Sequence, residues 1–509
     1  MRRLLVGAGA GAAAALALTV AMLLLRGLGV PLPLELVSDR FIPLLPVDTF
    51  LRLVDLVGGF VAGKRLGFYS FFLGQIVLGA SLGALYALVL AGRAPRRQAI
   101  VLGIGVLVFW LGALAVLYPA LDSNYRGLPS VPATVVNAVV LLLLPALLAV
   151  ALVGFYEALT RRPTREREPG PGVRVPRGAF LAGLFGGVLA VSSGVLVRRL
   201  YDRSAILYDG LETRGAPVDA ITPNDRFYVV TKNFVDPRVD RSLWRLEVTG
   251  SVDREHSYDY DELGGLGRIE QETTLECISN GIGAGLISNA RWVGIPLRTL
   301  LAAARVREDA SFVMAHGVDG FTHGLSLETA LRPVTLVAYG MNGQPLPQRH
   351  GYPARLIVPG GYGEMSVKWL TRIEVLDHLE EGFYESQGWR AERVHTMSRI
   401  DRPLGLRPLR AGRPHPVNGV AFAGDRGIRR VELSTDGGRT WREARLDYRG
   451  TALTWALWSF DWMPSEPGRV ELVVRATDGL GGPQSSKREG ISPDGASGYH
   501  RIEVEVVRA

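Results

Sequence analysis

The chain has 509 residues and a single cysteine, Cys277. One thiol excludes disulfides, cysteine-ligated iron–sulfur clusters and a CxxCH haem attachment. Histidine is sparse and one-sided, since all eight lie at or after His256. Residues 1–200 therefore cannot carry a bis-histidine haem. The net charge is +8, but the arginines are scattered and many flank apolar stretches. That distribution speaks for membrane topology and against nucleic-acid binding.

What residues 1–200 have in excess is long apolar runs. Stretches able to span a bilayer lie at about Leu4–Leu25, Phe68–Ala91, Ala99–Pro119, Ala133–Ala158 and Ala179–Val197. Arg2-Arg3 before the first apolar core also fits a signal peptide, but four further spans favour an uncleaved helix. Arg93, Arg96 and Arg97 lie between spans two and three. Arg161, Arg162, Arg165, Arg167, Arg174 and Arg177 lie between spans four and five, and only Arg126 lies between three and four. Counting cations in short loops then places the N-terminus and both arginine-rich loops in the cytoplasm. The result is a multi-pass plasma-membrane protein with everything after residue 200 extracytoplasmic. An interfacial helix is expected around Val47–Phe60. The spans hold little polarity beyond Gln75 and Asn137, which favours an anchor or docking role over an ion path. From Arg174 to Gly194, Arg177-Gly-Ala-Phe180-Leu181-Ala and the small-residue core after it resemble a degraded twin-arginine export signal lacking its second arginine.

After Arg198 the chain turns polar. Cys277 sits in Thr273-Thr274-Leu275-Glu276-Cys277-Ile278-Ser279-Asn280-Gly281-Ile282-Gly283. A β-like run delivers the sulfur to a strand end facing a Ser/Asn/Gly-rich turn, where rigid scaffolds place chemistry. The plain alternative is a small buried hydrophobe. Asn224–Lys232 and Trp244–Gly250 read as strands, and Gly317-Val318-Asp319-Gly320 as a turn before a helix start. Met341-Asn342-Gly343-Gln344-Pro345-Leu346-Pro347 leads into His350-Gly351-Tyr352-Pro353-Ala354-Arg355, and Ser366-Val367-Lys368-Trp369-Leu370 follows. A guanidinium within such turns offers a two-pronged fork to phosphate oxygens.

Taken in order, Leu-Glu-Cys-x-x-Asn-Gly at 275–281, Asn-Ala-Arg-Trp-x-Gly-x-Pro-Leu at 289–297 and the segments at 341–355 and 366–370 resemble the sulfite oxidase family of molybdopterin-dependent oxidoreductases. The resemblance spans roughly residues 205–509. It implies that Cys277 is the catalytic metal ligand, the one protein thiolate on a molybdenum held by molybdopterin. A soft thiolate suits such a metal. It further implies that Tyr228 and Val229 approach the metal and pterin, that Asp319 belongs to a cofactor-side turn, and that His350, Arg355, Ser366, Val367 and Lys368 hold the pterin. Two departures bear on substrate. Val230 and Ile282 stand where sulfite oxidases carry arginines, and the family tyrosine corresponds to Trp389, with Tyr384 the alternative. An apolar mouth desolvates a dianion without replacing its hydrogen bonds.

In residues 401–509, alternating runs such as Ile428-x-x-Val431-x-Leu433 and Val470-x-Leu472-x-Val474 recur between Gly/Pro turns, which predicts an antiparallel sandwich. Ser434-Thr-Asp436-Gly-Gly438-Arg-Thr440-Trp441 predicts a hairpin tip. By order and position the segment resembles the family's immunoglobulin-like dimerisation domain. The expected architecture is multi-domain: an α-helical transmembrane region over 1–200, an α+β molybdopterin-binding domain over 205–400, and an immunoglobulin-like β-sandwich over 401–509. The expected activity is two-electron oxygen-atom transfer on a small extracytoplasmic substrate, with electrons passing to or from a separate cytochrome or quinone system. No fused haem domain or iron–sulfur cluster is expected, and a homodimer would form through 401–509. The rivals are a sulfoxide reductase of the same superfamily and a cofactor-free, membrane-tethered binding protein.

Overall fold

A computed structural model of the protein describes residues 1–160, 177–212, 218–390, 393–405 and 407–508. Arg161, Arg162, Arg165, Arg167 and Arg174, which carry much of the topology argument and the start of the export-like motif, lie outside the described residues. The chain forms two units. The first comprises residues 1–42, 53–207 and 233–238, and the second comprises residues 43–52, 208–232 and 239–509.

Seven helices precede residue 203: α1 (Arg2–Gly27), α2 (Pro33–Phe41), α3 (Val47–Leu56), α4 (Phe60–Val89), α5 (Pro95–Leu117), α6 (Ser130–Thr160) and α7 (Arg177–Asp202). Five of them, α1 and α4 to α7, are long and apolar enough to cross a membrane, as the apolar runs predict. The first helix packs against α4, α6 and α7. Its contact with α4 is made by small residues, because a Cβ on Gly11 would lie 1.9 Å from Gly79 O and one on Gly83 only 2.0 Å from Gly7 O. Such close backbone approach is how apolar helices associate where lipid removes the hydrophobic driving force. Gln75 Nε2 donates to Ala15 O (3.2 Å) and Thr19 Oγ1 (3.1 Å), and Asn137 Nδ2 donates to Leu121 O (2.7 Å) and Ser123 O (2.8 Å). Both polar residues thus tie segments of this unit together. At the end of α1, buried Arg26 pairs with Glu35 at 3.1 Å. A helix, α3, does form over the stretch expected to be interfacial, and its first residues belong to the second unit. There Val47 is buried beside Trp389, Ile278 and Tyr362.

The second unit opens with two small sheets. One runs β2 (His256–Tyr258), β1 (Leu246–Gly250), β10 (Leu370–Leu376), β5 (Phe312–Gly317), β6 (Thr322–Ser326). Only β1 and β10 are parallel. The other runs β3 (Ile269–Glu276), β4 (Ile287–Pro296), β7 (Leu336–Met341), β8 (Gln344–Pro345), with β9 (Arg355–Ile357) also on β7. Short helices α8 (Tyr260–Gly265), α9 (Leu297–Ala304) and α10 (Leu327–Leu331) intervene. Asn342 and Gly343, both at positive φ (51° and 76°), join β7 to β8 in the two-residue turn that Asn-Gly favours. Between the sheets, Trp244, Leu297, Leu301, Val337, Leu356 and Ile373 form a core.

The C-terminal part is a two-sheet β structure. One sheet orders β11 (Met397–Arg402), β13 (His415–Phe422), β17 (Ala456–Trp462), β16 (Arg445–Tyr448). The other orders β12 (Leu409–Arg410), β19 (His500–Val507), β18 (Gly468–Asp478), β14 (Ile428–Ser434), β15 (Arg442–Glu443). Their inner faces share Val417, Trp458, Val431, Leu472 and Val504. The 434–441 motif is the expected hairpin tip between β14 and β15. Asp436 accepts from Arg439 N (3.0 Å) and Thr440 N (2.9 Å). One expectation is corrected: Asn224–Lys232 is not a regular strand. Among these residues only Val229 makes a ladder contact, an isolated bridge to Leu211, and the rest are turn, bend or irregular. The partners of this segment are side chains and loops, which alternation alone does not reveal.

Candidate active site

β3 ends at Glu276, and Cys277 follows at once. The turn is held from several sides. Cys277 N donates to Leu286 O (3.0 Å), Asn280 N to Cys277 O (2.9 Å), and Leu286 N to Asn280 Oδ1 (2.9 Å). Asn280 Nδ2 reaches back to Glu276 Oε1 at 2.7 Å. Gly283 is required at φ +76°, because a Cβ there would sit 2.3 Å from His500 Nε2. Arg399 of β11 donates to Ala284 O (2.7 Å), so the C-terminal sandwich also shapes this loop.

Cys277 is partly buried and packs against the cluster that holds Tyr228 and Leu275. Its Sγ contacts Ser279 Oγ at 3.0 Å. Burial of its surroundings pushes the thiol up to about 11, against the pull of Ser279. A thiolate here therefore needs a cation to compensate it.

A second cluster gathers the remaining sequence-predicted residues. Arg355 is buried, and its two terminal nitrogens donate to His350 O (3.1 Å) and Ser366 O (2.9 Å). Among the described residues no carboxylate pairs with it, and burial draws its pKa down to about 10. His350 Nε2 bonds Asn224 O at 2.7 Å, and burial pulls the ring down to about 3, with Arg355, Lys368 and Arg349 adding to the depression. Lys368 Nζ donates to Val230 O at 3.2 Å, and Ser366 Oγ accepts from Val358 N at 3.1 Å. Val367 is buried and its carbonyl accepts from Leu356 N (2.8 Å). The next residue but one, Trp369, holds a positive φ of 51°, which turns the chain sharply after Lys368. Asp319 is buried. Its carbonyl accepts from Lys232 Nζ at 2.7 Å, and its carboxylate accepts from Phe321 N at 3.3 Å.

Tyr228 joins the two clusters. Its hydroxyl is raised well above the usual tyrosine range by burial and by Cys277, and lowered by Arg355, so it lies in the field of both. It packs so tightly on Gly363 that a Cβ there would be 2.2 Å from the hydroxyl. Val229, by contrast, contributes a buried backbone position locked to Leu211.

Three further residues complete the site. Tyr384 is raised by burial, Glu364 and Cys277, so it lies within reach of the thiol's field. Tyr384 and Trp389 both pack in the cluster that holds Ile278, the residue after Cys277. Trp389 packs with Ile278, Ile287 and Val394, where its bulk is covered. The other two, Glu276 and Glu364, are not anticipated from sequence. Both are pushed up by burial, to about 7 and about 8. No charge pattern signals them, because their effect comes from enclosure. Ile282 lines a pocket of about 230 Å³ together with Arg488 and Ile491.

Residues 233–384 match the model of the oxidoreductase molybdopterin binding domain, and residues 397–506 match that of the Mo-co oxidoreductase dimerisation domain. The chain is 31% identical over 343 residues to mitochondrial sulfite oxidase of Rattus norvegicus, covering 56% of this chain and 62% of that protein. It is 34% identical over 308 residues to sulfite oxidase of Gallus gallus, covering 51% and 66%. It is 30% identical over 321 residues to an NAD(P)H nitrate reductase of Hordeum vulgare, covering 51% and 36%. A solved structure, the sulfane dehydrogenase SoxCD from Paracoccus pantotrophus, superposes with a TM-score of 0.52 at 26% identity, covering 57% of this chain and 82% of that chain. The chain spans less than two thirds of the length of these curated relatives. Fold, site and matched domains define a molybdopterin-binding oxidoreductase. Within that class the chain belongs to the sulfite oxidase family.

The residues present fit the cofactor this membership implies. A buried guanidinium whose hydrogen bonds all go to carbonyls can still take an anion, and a terminal phosphate supplies one. A single partly exposed thiol at a strand end is the soft donor a molybdenum centre takes from protein.

Proposed function

We propose that the chain is a membrane-anchored molybdenum oxidoreductase acting on a small extracytoplasmic substrate, in which Cys277 ligates the metal. Bound cofactor would supply two-electron oxygen-atom transfer, and the protein supplies ligation, orientation and pocket electrostatics. Arg355, His350 and Lys368 would hold the pterin phosphate, with Ser366 and Val367 offering backbone groups. Tyr228, Val229 and Asp319 would line the cofactor. The observation that carries the reading is Arg355, buried with no carboxylate partner among the described residues, joined through Tyr228 to the field of the lone thiol. Molybdenum and pterin analysis of the purified chain tests it. About one molybdenum per chain is expected, and active protein lacking the metal would refute the reading.

The domains proposed are 1–200, 205–400 and 401–509, with the last read as immunoglobulin-like and dimer-forming. A separate cytochrome or quinone system would exchange the electrons. The topology proposed places the N-terminus in the cytoplasm and residues 205–509 outside the plasma membrane. Reporter fusions after Arg165 should read cytoplasmic and those after Tyr208 external, and the opposite pattern would overturn the orientation.

Sulfite should be a poor substrate. Val230 and Ile282 replace two arginines, and each lost charge-assisted hydrogen bond to an anion removes on the order of 1.5–3 kcal/mol, roughly ten- to a hundred-fold in binding. Exposed Arg488 beside Ile282 retains one cation near the pocket. Together the losses should raise the sulfite KM about a hundred-fold or more over that of an arginine-lined site. Steady-state sulfite oxidation with an artificial acceptor, run beside sulfoxide reduction with a reduced dye, measures this. Rapid turnover at micromolar sulfite would show that the arginine argument fails. The same two substitutions keep the sulfoxide-reductase alternative open.

A further inference from the structure

We propose that Glu364 is the proton-holding residue of this site and that Glu385 connects it to solvent. This rests on the reading of Cys277 as the metal ligand. Glu364 lies on the 3₁₀ turn Gly363–Met365, whose first residue packs on the Tyr228 hydroxyl. Its Oε1 is buried with no hydrogen-bond partner, and no cation among the described residues pairs with it. A buried carboxylate left so would be costly, whereas a neutral acid is tolerated and has one proton to give.

Its surroundings show where that proton can go. Cys277, Tyr228, Tyr362 and Tyr384 all lie in the field of Glu364, so its charge state is felt across the site. On the other side, the Gly363–Met365 turn packs against β6. That strand carries His323, which is 2% exposed, has no partner on Nδ1, and lies with Nε2 3.8 Å from Glu385 Oε1. The Glu385 side chain is 27% exposed, and it is held by Gly382 N at 2.6 Å. Glu385 therefore faces water at one end and, at the other, His323 on the strand against which the Glu364 turn packs. Burial first, and Glu385 second, push Glu364 up to about 8, so it carries its proton at neutral pH. Burial pulls His323 down to about 4, which keeps the ring neutral and leaves the relay to the carboxyls. Glu276, raised to about 7, is the one other carboxyl near the thiol with an unpartnered oxygen among the described residues. It already accepts from Asn280, which marks it as part of the turn's support.

Infrared difference spectroscopy on the purified full chain tests the proposal, with molybdenum measured on the same sample. The wild type should show a protonated-carboxyl band at pH 7 that disappears near pH 8. Glu364→Gln should remove that band and lower kcat roughly a hundred-fold, the usual scale of a lost proton donor. Glu385→Gln, which keeps Glu364, should move the band's midpoint to lower pH, because a neighbouring negative charge is gone. Molybdenum present with an unchanged band in Glu364→Gln, or an unshifted midpoint in Glu385→Gln, overturns the proposal alone. Active protein without molybdenum overturns the underlying reading instead.

Discussion

Cys277→Ser is expected to reduce turnover to background while leaving the chain folded. The thiol is only partly buried and makes one side-chain hydrogen bond among the described residues, to Ser279 at 3.0 Å, so a near-isosteric hydroxyl should fit the turn. A substitution of this kind typically changes stability by about 1 kcal/mol, too little to unfold the chain. The chemical loss is much larger. A serine oxygen is hard and weakly acidic, so it cannot replace a soft thiolate on molybdenum. Burial has already pushed the thiol up to about 11, which means that the charged sulfur is tolerated here only when a cation faces it. Metal analysis, thermal unfolding and turnover on one preparation provide the check. A serine variant with undiminished activity would remove Cys277 from the chemistry.

The second large effect is expected at Arg355. Arg355→Met should yield folded protein that no longer retains pterin through purification. The guanidinium is buried, and the fall of its pKa from 12.5 to about 10 corresponds to a penalty on the order of 3 kcal/mol for the charged form while the site is empty. Methionine removes that penalty but also strips His350 O and Ser366 O of donors at 3.1 and 2.9 Å. These effects oppose each other, so the cofactor-free fold should change by only about 1–2 kcal/mol. Binding lacks any such offset. Losing a forked contact to phosphate costs on the order of 1.5–3 kcal/mol for each charge-assisted bond. Released pterin, measured by fluorescence after denaturation, should therefore fall by roughly ten-fold or more. Unchanged pterin content with lowered stability would make Arg355 a structural donor to two carbonyls and nothing more.

Much of this protein is legible in its amino-acid sequence. The five apolar runs become α1 and α4 to α7 because a span is a length and a composition, both local quantities. The C-terminal strands are legible because a sheet with one buried face prints its period of two on the chain. Cys277 stands out as the sole thiol, delivered by a β-like run, and β3 indeed ends one residue before it. His350, Arg355, Ser366 and Lys368 are legible only as words in order. Nothing in their spacing shows that Arg355 reaches back to both His350 O and Ser366 O.

What the tertiary structure alone decides is the environment of each group. Asn224–Lys232 alternates like a strand, yet it is irregular, because its backbone is held by one bridge to Leu211 and by the side chains of Asp209 and Ser288 instead of by a continuous ladder. Tyr384 lies in the field of the thiol through tertiary packing, which the order of residues there does not reveal. Glu276 and Glu364 look in sequence like any exposed carboxylates, and only enclosure raises them to about 7 and 8. Sequence by itself determines which residues can do chemistry and which segments are apolar or alternating, since these are properties of residues and their near neighbours. Which charges lose their water, and which of them face one another, depends on contacts between residues far apart along the chain, and folding alone sets those.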